Sequence, residues 1–84
     1  MSYVDIEEIA RLKEKYAMAG EQLCWHWQCW APATHRIMIT WNGGGDNVAG
    51  FACEWDASGL LIERRTHYLQ IDAPRVRGVW IERI

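Results

Sequence analysis

The sequence predicts an α+β fold: an N-terminal helix packed on an antiparallel four- to five-stranded β-meander, with residues 1–84 forming one domain. Three observations predict it. The first eighteen or so residues carry apolar side chains at helical spacing. The chain beyond them alternates apolar and polar residues at strand spacing. The connections are short and rich in Gly, Asp, Asn and Pro, with no linker between them.

The helix is expected over Ser2–Ala19. Ser2 is placed to cap it, Asp5, Glu7 and Glu8 lie in its first turns, and Arg11, Lys13 and Lys15 follow, an order that suits the helix dipole. Ile6, Ile9, Leu12 (or the stem of Lys13) and Tyr16 form the apolar stripe. Glu7 and Arg11 are spaced to pair, and Gly20 suits the C-terminal cap.

Glu21–Ala31 reads as a strand, because aromatic residues favour sheets, with continued helix past Gly20 as the alternative; Pro32 ends it either way. It holds Leu23-Cys-Trp-His-Trp-Gln-Cys-Trp30, half of the six tryptophans in eight residues. Thr34–Trp41 is a second strand, with His35, Ile37, Ile39 and Trp41 on one face. After Asn42–Asn47, Val48–Trp55 forms a hairpin with it and turns Ala49, Phe51, Cys53 and Trp55 inward. Asp56-Ala-Ser-Gly59 reads as a type I turn into a further strand, Leu60–Ile71. A helix over Ser58–Gln70 competes with that strand, since Leu61, Arg65, Tyr68 and Leu69 share a helical face. Asp72–Arg75 is a turn, and Val76–Arg83 is the last strand and the expected sheet edge. Such an edge offers a route to a homodimer.

Composition narrows the function. A formal charge of −2 argues against a general nucleic-acid binder and against an acidic mimic of one. Met1–Ile9 lacks the pattern of a secretory leader, and no apolar run reaches the ~18 residues of a membrane span. A cytoplasmic protein with free thiols and no membrane partner is expected.

Cys24-x-His26-x-x-Cys29 has ligand-like residues, but on a strand Cys29 faces away from the other two. Only His35, Cys53 and His67 remain to complete a site. Buried free cysteines are the plainer reading, so no metal and no cofactor are expected. Gly43-Gly44-Gly45 lacks the Lys-Ser/Thr and the helix of a phosphate loop and reads as a hairpin tip. No nucleophile has a base and orienting group framed around it, so the chain is not expected to be an enzyme.

Recognition fits better. Trp, Tyr and Arg dominate binding hot spots. Most tryptophans are expected in the core, with Trp30 and Trp80 exposed. Arg64, Arg65, Arg75 and Arg77, with these two tryptophans, make the expected partner-binding surface. The leading expectation is a non-catalytic protein-binding domain that occludes a protein partner, a nucleoprotein complex included. A phage or mobile-element inhibitor of a bacterial defence complex (anti-CRISPR-like) or an immunity protein is the setting such a chain suits. A single-stranded nucleic-acid-binding module and a small zinc-stabilised structural module are the alternatives.

Overall fold

Five regular elements and one short 3-10 turn build the domain, in a computed structural model that describes residues 6–17, 21–26 and 28–84, with Ile6 as backbone only. They are α1 (Ile6–Tyr16), β1 (His35–Trp41), β2 (Asp46–Ala52), α2 (Ala57–Asp72) and β3 (Val76–Arg83), with the 3-10 turn Ala73–Arg75 before the last strand. The fold is α+β with an antiparallel sheet, as expected, but the sheet has three strands in the order β2-β1-β3. It is not a meander, because α2 intervenes and β3 returns to the far side of β1.

β1 is central: it pairs with β2 along one edge and β3 along the other, and turns one apolar face into the core. Ile37 and Ile39 are buried, and Ile37 stands opposite Gly50 on one side and Ile81 on the other. Ile39 faces Val79 of β3, also buried. The hairpin from β1 to β2 turns through Gly44 and Gly45, whose φ angles of 91° and 94° are open to glycine at little cost. A bulge follows, since Met38 pairs with Val48 and Ile37 with Gly50, leaving Ala49 as the extra residue. It changes which residues face inward: Ala49, Gly50, Ala52 and Cys53 are buried, while Trp55 is 86% exposed. The expected alternation through Phe51 and Trp55 is thereby corrected.

The strand expected over Leu60–Ile71 is a helix. Leu60 and Arg64 are buried, and Ala57, Leu61 and Tyr68 pack against the core. Those five positions are spaced by three and four, a helical face that no period-two strand could bury together. α2 lies over the sheet, chiefly on β3. The role expected of the N-terminal helix as sheet cover thus falls to this second helix.

α1 buries a cation instead of an apolar stripe. Leu12 and Tyr16 are exposed, and Lys13 is 1% exposed. The carboxylate of Glu7 reaches Arg64 of α2 at 3.0 Å, a pairing across the fold. The expected caps at Ser2 and Gly20, like Asp5, lie outside the described residues. Among the described residues, no helix is long and apolar enough to cross a membrane.

The stretch Glu21–Ala31 is not a strand. Leu23 makes one isolated bridge to Pro32, and the described residues between them form an irregular loop. None of the described tryptophans is fully buried; Trp30 (49%), Trp80 (38%) and Trp55 are exposed, and Trp25 and Trp41 are half-buried against the core. The core is made instead of Leu23, Cys24, Ile37, Ile39, Ala49, Ala52, Cys53, Leu60 and Val79.

Candidate metal centre

The loop from Leu23 to Pro32 closes on itself. Cys24 N donates to Ala31 O (3.0 Å), Ala33 N to Gln22 O (2.8 Å), and Cys29 N to His26 O (3.0 Å) in a tight turn. Trp25 N donates to Phe51 O (2.9 Å), which docks the loop on β2. Such a fold-back abolishes the two-faced geometry of a strand, so Cys24 and Cys29 converge.

They converge on the end of β2. Cys53 follows the last strand residue, and Asp56 N donates to Cys53 O (3.2 Å) in the turn that starts α2. Asp56 is the N-cap of α2, yet its side chain makes no capping hydrogen bond. A capping Asp ordinarily stabilises a helix by about 1 kcal/mol. Here the carboxylate points instead at the thiols: Oδ2 accepts from Cys53 Sγ at 3.1 Å and from Cys24 Sγ at 3.4 Å. Cys29 Sγ lies 3.7 Å from Cys53 Sγ. The four ligand atoms all fall within 4.8 Å of one another.

These spacings fit a zinc tetrahedron. Metal–sulfur bonds of about 2.3 Å give sulfur–sulfur edges of about 3.8 Å, and a metal–oxygen bond of about 2.0 Å gives sulfur–oxygen edges of about 3.5 Å. Thiolates select zinc among the common divalent ions over magnesium or calcium, which prefer oxygen cages. Cys24 (0%) and Cys53 (3%) are shut off from solvent, while Cys29 and Asp56 are half-buried.

A cation already stands beside this group. The Lys13 ammonium donates to the carbonyls of Cys24, His26 and Cys29, which matches its three N–H bonds to three acceptors. Two of those carbonyls belong to the thiol residues themselves, so Lys13 fixes the loop that presents them. Three thiolates and a carboxylate would carry four negative charges; a divalent ion offsets two and Lys13 one more.

Burial pushes the Cys24 thiol up to about 12, and pushes that of Cys53 up as well. Chiefly the hydrogen bond from Cys53 holds the Asp56 carboxyl below its ordinary value. Burial lowers the Lys13 ammonium. Without a metal, then, Cys24 and Cys53 are neutral thiols donating to a carboxylate, and a metal would displace their protons.

The residues expected to bind a partner are scattered by the fold. Arg64 is 1% exposed, held between Trp25 (5.7 Å) and Tyr68 (5.2 Å) with Nη2 on Glu7, so it does not join the surface face expected of it. Arg65 and Arg77 do come together, lining a groove of about 300 Å³ between α2 and β3 with Leu69, Val76 and Val79. Arg75 is paired with Asp72 at 3.0 Å. Trp80 donates its indole N–H to Thr40 Oγ1 (2.9 Å), and Trp30 packs edge-on to Tyr16 and over Lys13. The metal-like group contains none of them, nor His26, His35 or His67. Asp56 and Lys13 are the members that sequence reasoning missed. The legible signal for Asp56 was Cys53-x-x-Asp56, a ligand-like spacing read as a mere turn.

No family model, no curated protein and no solved structure matches this chain.

Proposed function

We propose that this chain is a small zinc-stabilised module, non-catalytic in itself, whose metal centre is Cys24, Cys29, Cys53 and Asp56. The observation that carries it is the convergence of four ligand atoms within 4.8 Å from two segments of the chain. The helix cap forgone by Asp56 supports it independently. A set of four protein ligands closes a zinc site, whereas catalytic zinc keeps a position for water or substrate. The test is metal analysis of protein purified without chelator, together with Co²⁺ substitution. One zinc per chain and the visible bands of tetrahedral thiolate-bound Co²⁺ are expected; a stoichiometry near zero after reduction and reloading would sink the reading.

A second reading concerns what such a module does. The groove between α2 and β3, with Arg65 and Arg77 at its wall, supports non-catalytic binding of a protein partner by occlusion. The defence-complex inhibitor is one setting for it. Replacing both arginines by Glu should abolish capture of a partner while leaving zinc content and melting temperature unchanged; undiminished capture would remove the groove from the mechanism.

A further inference from the structure

We propose that the centre is also a modification site for hydroperoxides, in which Cys29 is oxidised first, Cys53 closes a disulfide with it, and the metal is released. This rests on the zinc reading above and deepens it. Three thiols share the centre, but they are not equivalent. Cys24 is sealed and Cys53 nearly so, while Cys29 stands half-buried at the open side of the loop. An oxidant from solvent therefore meets Cys29. Cys53 Sγ stands in contact with its sulfur at 3.7 Å. Forming a bond of about 2.05 Å needs the two atoms to close by under ~2 Å, within the reach of side-chain rotation.

The step balances without any further reactant. The Cys29 thiolate attacks one peroxide oxygen, the O–O bond breaks, and hydroxide (or an alkoxide) leaves, giving the sulfenic acid. The Cys53 thiolate then attacks that sulfur, the S–O bond breaks, the S–S bond forms, and a second hydroxide leaves. Two thiolates give up two electrons and the peroxide takes them. Both sulfurs lose the charge that bound the metal. Only Cys24 and Asp56 would remain to hold a zinc ion, a set too small to keep it against water.

The consequence reaches α1. Lys13 holds the carbonyls of both Cys24 and Cys29, so a loop reshaped by the disulfide changes the seat of the helix.

The experiment uses the full chain, reduced and zinc-loaded, treated with hydrogen peroxide. Zinc release is followed with a chromogenic chelator, and tandem mass spectrometry locates any link. The expected result is loss of the one zinc per chain in step with a mass loss of about 2 Da, assigned to a Cys29–Cys53 bond and reversed by a dithiol with zinc. Limiting N-ethylmaleimide on the metal-free reduced chain should label Cys29 before Cys24 or Cys53. Zinc retained with all three thiols reduced would overturn the inference and leave the zinc reading standing. A bond formed through Cys24 would overturn the assignment. A chain that loads no zinc yet links Cys29 to Cys53 would overturn the release and the zinc reading together.

Discussion

Asp56 shows how one residue changes the chemistry of three others. As a turn residue before a helix it would serve as a cap; turned toward Cys24 and Cys53, it converts a buried thiol pair into an anionic pocket. Asp56→Ala should weaken zinc binding by at least about 10–100-fold, the loss typical of removing even a group behind a ligand. Asp56→Cys should retain it, which competition with a chelator of known affinity can check. The thiols also give the metal-free protein a pH dependence of defined sign. The folded-state thiol of Cys24 is raised from an ordinary 9.0 to about 12. Its contribution to stability is complete below pH 9 and is lost as pH rises toward 12, because the unfolded chain ionises first. Alkaline melting temperatures should fall in chelator and hold in zinc, where the thiols are already ionised. Cys24, Cys29 and Cys53 were plain in the sequence. Their convergence was not, because the loop that joins them depends on Lys13, which is distant in sequence and looks like an ordinary surface residue of an amphipathic helix.

The elements differ in how openly the sequence displays them. β1 and β3 are legible because Ile37 and Ile39, and Val79 and Ile81, recur at every second residue, whereas the bulge at Ala49 breaks that period in β2. α2 is hidden because Asp56-Ala-Ser-Gly59 satisfies a turn as well as a helix start, and because exposed apolar residues such as Ile62 and Ile71 blur its helical period. The strand expected at Glu21–Ala31 failed for a different reason: backbone hydrogen bonds that close the loop on itself and on Phe51 outcompete a sheet ladder for those residues. The join between loop and sheet is tight. A Cβ added at Gly50 would stand 3.1 Å from Trp25 Cε3. Gly50→Val should therefore displace the Trp25 ring and destabilise the fold by about 1–3 kcal/mol, the usual cost of overpacking. Denaturant titration with zinc present measures it, and an unchanged midpoint would show the loop free to move off β2. Lys13→Met is the matching test on the other side of the loop. It removes the Lys13 donor from the carbonyls of Cys24 and Cys29, while His26 O keeps the Cys29 N–H, a loss of about 1–3 kcal/mol for even one unsatisfied buried group.

At the scale of the molecule, the question is what holds 84 residues together with so thin a core. Of the nine buried hydrophobic residues among those described, four are cysteine or alanine. The described tryptophans lie half-buried or outside, with Trp55 and Trp30 well exposed. Domains of this size with little apolar burial ordinarily rely on a staple, and the proposed metal centre would join the parts that the core leaves apart. Cys24 and Cys29 belong to the loop, Cys53 ends β2, Asp56 begins α2, and Lys13 adds α1. Structural zinc in small modules supplies folding free energy of about 10–16 kcal/mol, comparable to the whole stability of a domain at about 5–15 kcal/mol. Removing it here should therefore be felt across the fold. A loss of only about 4 kcal/mol would lower the melting temperature by roughly 16–32 °C for a domain of this length. Calorimetry in a strong chelator against calorimetry in excess zinc gives the comparison, and near-ultraviolet circular dichroism of the tryptophans reports whether the loop leaves the sheet. Equal melting temperatures in the two conditions would mean that the sheet and α2 hold the chain unaided, and the centre would lose its structural role even if it binds metal. A large shift with loss of the tryptophan signal would identify the loop around Lys13 as the part that the metal folds.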